Sequence, residues 1–311
     1  MVRTVFIQVL TLSLMILLGY VLGKRRYITA EHSDFLSRLV LDVFFPCSVI
    51  SAASGDFGGG GSRLYYLAAA ALYFGVLLVF FVLGRLVGGL LGLDEDERLI
   101  FANSASYANN GFMGLPLCGA IFGPQGTLWA SLSIPGTTLY VFVVLTTSLR
   151  RERSSDWKSR LKSLLTPLNL SAVAMIVMIL TGWKLTGPLY TAVNSLGTCN
   201  TPAAMLLIGY LLSASPLVDA LRRPAVYGVT LLRNLLCPLL GALVLRLTPW
   251  DRGLCLCLVV VMGCSVAATV SIFAARYRRA PGFAGQSMLQ STLLLPLTMP
   301  VMIYLAERIL R

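Results

Sequence analysis

The chain has 311 residues, of which 57% are hydrophobic and only 12% charged, and its mean hydropathy is +0.79. A soluble domain carries roughly 25% charged residues, so the composition excludes an ordinary soluble enzyme and points to an all-α, polytopic membrane protein. The net charge of +12 is no argument for a nucleic-acid partner, because the basic residues collect in short loops between apolar segments, where they set topology.

Ten stretches match a bilayer core of ~30 Å. They lie near 4–23, 35–54, 64–90, 98–123, 126–149, 168–186, 190–213, 224–247, 253–277 and 284–308. The first is followed by Lys24-Arg25-Arg26 and not by a small-residue cleavage site, so it reads as a retained span. Sixteen basic residues fall in the loops after the odd-numbered spans and seven at the opposite ends. The positive-inside rule then places both termini outside the cytoplasm.

Span 2 carries Asp42 inside an apolar run and a kinking proline in Phe45-Pro46-Cys47-Ser48. Asp42 reads as a structural or gating acid, with proton coupling as the alternative. Ahead of span 4, Asp94-Glu95-Asp96-Glu97 suits a solvated cap on a helix N-terminus, and Glu97 is placed to line a cytoplasmic entrance.

Span 4 is interrupted at its middle by Asn109-Asn110-Gly111-Phe112-Met113-Gly114-Leu115-Pro116. Freed backbone groups at bilayer depth are tolerated only against protein or a water-filled cavity, which in transporters is where substrate binds. Gly111 and Gly114 offer backbone freedom and close approach, and Pro116 suits the start of a second half-helix. The alternative is that Asn109 and Asn110 merely bridge helices.

A basic linker over 150–167 separates residues 1–149 from 168–311, five spans each. Five is odd, so the halves enter the membrane in opposite senses, as inverted repeats do. Pro46 and Pro202, the latter in Asn200-Thr201-Pro202 of span 7, stand 156 residues apart, and the same shift carries Asn109 to Ser265. There Gly263-Cys264-Ser265-Val266-Ala267-Ala268-Thr269 interrupts span 9. Asn110 lies about 12 residues past Arg98, or ~18 Å deep at ~1.5 Å per residue, and Ser265 is similarly deep from the other side. Two broken helices meeting there would offer half-helix N-termini to an anion.

Arg233 of span 8 lies ~15 Å deep by the same rise. A cation at that depth is a functional candidate by default. It either completes a carboxylate pocket or partners Asp42, the carbonyls of the crossing, or a loop carboxylate. Gln286 and Gln290, one turn apart in span 10, could hydrogen-bond inward. The seven cysteines show no ligand spacing and read as reduced core thiols, with no metal site. The single histidine, His32, is in a loop, and no phosphate-binding loop is present.

Asn110-Gly111-Phe112-Met113-Gly114-Leu115-Pro116, the span-7 run Thr201-Pro202-Ala203-Ala204-Met205-Leu206-Leu207-Ile208-Gly209, Arg233…Pro238, and Ser291-Thr292-Leu293-Leu294…Pro296…Pro300 together resemble the auxin efflux carrier family. The short central loop suits its bacterial members better than the plant ones. The resemblance implies a sodium/proton-antiporter-like fold. Helices 1, 2, 6 and 7 would form a scaffold that pairs into a homodimer, and helices 3–5 and 8–10 a transport domain with broken helices 4 and 9 crossing. It implies a secondary transporter of organic anions, carboxylates in particular, working by an elevator-like motion, with Asn109 or Asn110 meeting the carboxylate. The substrate-binding candidates are Asn109, Asn110, Gly111, Gly114, Pro116, Asn200, Arg233, Ser265, Val266 and Ala267. Asp42 and Glu97 are coupling or gating candidates, and Pro46 and Pro202 are helix breaks. The expected partners are the organic anion and the lipid bilayer. No cofactor is expected, and coupling to protons, to sodium or to neither stays open. Val266 departs from the family, which usually has a proline at that position. The rival readings are a bile-acid-type sodium symporter or a cation/proton antiporter on the same fold, then a receptor or an intramembrane enzyme.

Overall fold

The computed structural model describes residues 2–55, 63–150, 166–214 and 217–311. Among these the chain is helical, with one isolated β-bridge and no strand. In chain order the helices are α1 (Val2–Lys24), α2 (Ala30–Ala53), α3 (Arg63–Leu90), α4 (Glu95–Ser106), α5 (Asn110–Ser131), α6 (Ser133–Leu149) and α7 (Pro167–Thr181). They continue with α8 (Gly187–Ser213), α9 (Leu217–Arg222), α10 (Pro224–Arg246), α11 (Arg252–Met262), α12 (Ala268–Arg276) and α13 (Pro281–Ile309). The linker expected over 150–167 lies almost wholly outside the described residues.

The bundle is apolar outside and keeps its buried polar groups within an otherwise apolar interior. Leu14, Leu17 and Leu18 of α1, Val79 and Val82 of α3, and Val173 and Val177 of α7 are exposed, whereas Asn103, Arg233, Asn234, Gln290 and Ser291 are buried. A hydrocarbon solvent selects that arrangement, since it offers polar groups no partner. Helices α2, α8, α10, α13 and the Ala68–Leu90 part of α3 are each long and apolar enough to span a membrane. The chain is therefore a multi-pass membrane protein.

The expected spans are not ten unbroken helices. The stretch expected at 98–123 is split between α4 and the first part of α5, and the one at 253–277 between α11 and α12. Helix α5 in turn doubles back at Gly123, whose φ of 70° and ψ of −159° no helix can pass through. A Cβ at Gly126 would lie 2.2 Å from the Cys118 carbonyl oxygen, which places the two arms side by side. The reversal falls where the fourth and fifth stretches meet, at a positive φ that glycine adopts without penalty.

Three wide turns, Val40–Phe44 in α2, Asn110–Gly114 in α5 and Leu232–Leu236 in α10, each stand immediately before a segment with proline at its second residue. Those prolines are Pro46, Pro116 and Pro238. A proline inside a helix cannot donate to the i−4 carbonyl and its ring crowds that turn, so the backbone widens by one residue ahead of it. Small residues allow the closest helix contacts. Gly197 of α8 lies against the Ser48 backbone of α2, and Gly209 of α8 against the Ile16–Tyr20 backbone of α1.

Candidate functional site

The two interruptions meet. Between α4 and α5 the chain runs extended through Tyr107–Asn109, and between α11 and α12 it passes through Gly263–Ala267. Ala108 and Val266 form an antiparallel bridge. The Asn109 amide donates to the Ser265 carbonyl at 2.8 Å and the Ala267 amide to the Tyr107 carbonyl at 3.1 Å. Exchanging Ala108 with Val266 exchanges these two bonds as well, so the contact has its own local two-fold. By that symmetry Asn109 corresponds to Ala267, two residues on from the Ser265 that the proline spacing picks out. Each break thus satisfies the backbone of the other in a buried place.

The two asparagines do different work. Asn109 is the N-cap of the half-helix that follows, its Oδ1 accepting from the Phe112 amide at 3.3 Å. Asn110 ties that half-helix to its neighbours. Its Oδ1 accepts from the Tyr73 hydroxyl of α3 at 3.1 Å, and its Nδ2 donates to Ser133 Oγ of α6 at 2.9 Å. On the other side α12 begins at Ala267 with no side-chain cap. Ser265 is buried and donates to Met113 Sδ at 3.0 Å. Val266 keeps the N–H that a proline would lack, and donates it to Ser291 Oγ at 3.0 Å. Gly111 packs under the Phe45 ring, which a Cβ would approach to 3.0 Å, and Gly114 faces Val261.

Arg233 is fully buried at the crossing. Its Nη1 donates to the carbonyls of Ala105 at 3.1 Å and Ser106 at 2.5 Å, and its Nη2 to the Met262 carbonyl and to Cys237 Sγ at 3.2 Å. Of the partners open to it in the sequence, the structure places it on the carbonyls of the crossing. Asp42 is not its partner. That residue sits on an exposed side of the wide turn in α2 and not in the interior.

A cavity of about 420 Å³ opens beside the crossing, between α2, α5 and α8. It is lined by hydroxyls and amides, among them Ser48, Ser51, Thr127, Asn194, Asn200 and Thr201, with Pro116 in its wall and no charged side chain. Ser51 donates to Asn194 Oδ1 at 2.7 Å. Asn200 is buried and its Oδ1 has no partner. Of the candidates, Pro116 and Asn200 line this cavity, whereas Asn109, Asn110, Arg233 and Ser265–Ala267 belong to the crossing beside it. Ser51, Thr127 and Asn194 were not among the candidates. For Asn194 the signal is in the sequence, because Tyr190, Asn194, Gly197 and Thr201 recur every three or four residues along α8, a small and polar stripe on an apolar helix.

The acidic run before α4 does cap that helix, with Asp94 and Glu95 exposed, and its acids beyond Asp94 are also paired. Asp94 does cap α4, accepting from the Glu97 amide at 2.9 Å. The next three acids each take an arginine from a different element: Glu95 pairs with Arg85 of α3 at 2.8 Å, Asp96 with Arg279 ahead of α13, and Glu97 with Arg223 ahead of α10 at 2.5 Å. One helical turn thereby joins both halves of the chain. We expect Glu97→Arg to lower the melting temperature by about 2–4 °C, roughly the value of one partly buried pair. Adding Arg223→Glu should recover at least half of that loss in the same thermal scan. No recovery would mean that the pair does not form. Gln290 also serves packing, accepting from Thr230 Oγ1 and donating to the Ala220 carbonyl, both at 3.0 Å.

A family model described as membrane transport protein, the domain of the auxin efflux carriers, matches residues 4–159. The chain belongs to this family. The matched segment contains the first break and the cap, lock and reversal around it. The second break is joined to it by the symmetric bridge. No curated protein matches the sequence. The family is one of membrane transporters and not of enzymes.

Proposed function

We propose that the protein is a secondary active transporter of an organic anion, a carboxylate, that works by an elevator-like motion. The observation that carries this reading is the charge at the crossing. An uncapped half-helix N-terminus at Ala267 meets a capped one at Asn109, and the buried cation beside them, Arg233, has no carboxylate partner among the described residues. Helix N-termini carry partial positive charge and free N–H donors. The two C-terminal ends that Arg233 holds offset the two N-termini, about half a charge each, so with the guanidinium the centre keeps a net positive charge until an anion arrives. A cation/proton antiporter would need the opposite sign there.

The cavity supports the motion. It lies between α2 and α8 on one side and α5 on the other, which are the scaffold and the transport domain of a ten-span inverted repeat. A boundary is where sliding exposes cargo first to one side and then to the other; a site inside one body would travel without being gated. On this reading α1, α2, α7 and α8 form the scaffold and the homodimer contact, both termini lie outside, and Asn109 and Asn200 contribute to the cargo site. The hydroxyl and amide lining suits the polar part of a small carboxylic acid.

The test is uptake of a panel of radiolabelled carboxylates by purified protein in proteoliposomes. Saturable uptake of at least one acid is expected. Asn200→Leu should raise its KM about tenfold, the value of one hydrogen bond to a charged group. Binding without flux would make the protein a receptor, and no response to any acid would sink the anion reading.

A further inference from the structure

Helix α4 ends at Ser106 and α11 ends at Met262, and both ends stop on one guanidinium. The carbonyls that Arg233 holds, those of Ala105, Ser106 and Met262, belong to the last turns of these two helices. A helix leaves its last carbonyls without donors, and its C-terminal end carries about half a negative charge. Two such ends converging in an apolar interior cannot stay bare. Among transporters with broken helices, half-helix C-terminal carbonyls bind the sodium ion or proton that drives transport. Here that place is filled by a tethered group.

Arg233 is the only buried charged side chain among the described residues. The groups on it are three carbonyls and the Cys237 sulfur, with no acid. A guanidinium suits the position because its planar fork reaches two helices at once and never loses its charge. The wide turn Leu232–Leu236 carries it, and Cys237, one turn on, receives one of its donors.

We propose that Arg233 is a built-in counter-cation. It occupies the position a free monovalent cation would otherwise take between the C-terminal ends of α4 and α11, so the carrier needs no sodium at the crossing. Removing its side chain opens a small-cation site lined by hard carbonyl oxygens. The consequence for coupling rests on the anion-carrier reading; the site itself does not.

The experiment is a melting scan of the purified protein in sodium, potassium, lithium and choline chlorides at matched ionic strength, with and without added methylguanidinium. The wild type should melt at the same temperature in sodium and in choline. Arg233→Ala should melt lower and regain about 3 °C with methylguanidinium or a small metal cation, additions that do not raise the wild type. Arg233→Lys, which keeps a cation in reach of the carbonyls, should lose less and respond to neither. A merely space-filling arginine would not produce cation-specific rescue. Stabilisation of the wild type by sodium over choline overturns the proposal. So does a folded Arg233→Ala protein indifferent to every small cation. If Arg233→Ala does not fold, the wild-type comparison and the stability of Arg233→Lys decide: a sodium-indifferent wild type together with a folded lysine variant supports the tethered cation, and any other result overturns it. Failure of the carrier reading would appear separately, as absence of carboxylate uptake by the wild type in any gradient, with the melting comparisons unaffected.

Discussion

Asn110→Leu is expected to abolish uptake and to lower stability by about 2–3 kcal/mol. Leucine keeps the branching and heavy-atom count of asparagine, so the loss is mainly polar. Asn110 is 5% exposed and joins the first half-helix to α3 through Tyr73 and to α6 through Ser133. Without it the Tyr73 hydroxyl loses its acceptor in a fully buried place, whereas Ser133 keeps its own bond to the Ala130 carbonyl. Adding Tyr73→Phe to Asn110→Leu removes the orphan hydroxyl, so the double variant should be no less stable than Asn110→Leu alone. Asn109→Ala, which removes the cap, should cost about 1 kcal/mol of stability. Unfolding in detergent and uptake in proteoliposomes separate these outcomes. If Asn110→Leu unfolds with the wild type, the lock is not what holds the break in place.

The Asn109–Pro116 interruption could be read from the chain because its cost is local. Amides, glycines and a proline at bilayer depth are costly whatever surrounds them, and the helix breaks at the N-terminal edge of that run, over Tyr107–Asn109, while Asn110–Gly114 forms the wide first turn of the next half-helix. The weaker interruption at Ser265 was legible only by its spacing from the first. What the sequence could not show is which partner each polar group finds. Arg233 had four kinds of partner open to it, and only the folded chain brings the ends of α4 and α11 onto it. Asp42 misled for a related reason, since a one-dimensional apolar run does not say which side of the helix is buried, and the turn ahead of Pro46 leaves the carboxylate exposed. The ion pairs of Asp96 and Glu97 were not legible because their arginines lie far off in sequence, at Arg279 and Arg223. The cavity escaped because its wall is shared by three helices, each contributing a stripe of small and polar residues that alone looks like ordinary packing.

Those contacts divide into two kinds. The crossing is held by bonds that point at fixed partners: the bridge, the Asn110 lock and the Arg233 fork. The cavity wall, by contrast, has neutral dipoles, including an amide oxygen on Asn200 with no partner. On the anion-carrier reading this division is useful, because tight charge at the cargo face would hold an anion too strongly to release it. On that reading the permanent charge sits behind the crossing, on carbonyls, and its field would reach the cargo without a direct ion pair.

Gly209→Val is expected to destabilise the protein by about 3 kcal/mol or more, at the upper end for overpacking. A Cβ at Gly209 would lie 2.0 Å from the Ile16 carbonyl oxygen, 2.7 Å from the Tyr20 nitrogen and 2.8 Å from the Gly19 Cα. The contact is reciprocal, since a Cβ at Gly19 would lie 2.3 Å from the Leu206 carbonyl oxygen. Every one of these atoms is backbone, so no side-chain rotation relieves the overlap. Helix α1 must move away from α8, and the close approach that holds two apolar helices together in lipid is lost. Gly75→Ala is the matched control, because nothing lies within 4 Å of its Cβ position in α3. It should leave stability unchanged or raise it by about 0.5–1 kcal/mol through helix propensity. Thermal unfolding of the two variants beside the wild type tests the contact directly. A Gly209→Val protein that melts with the wild type would mean that α1 and α8 do not touch backbone to backbone. A large loss shared by Gly75→Ala would mean that α3, and not the α1–α8 contact, is the sensitive element.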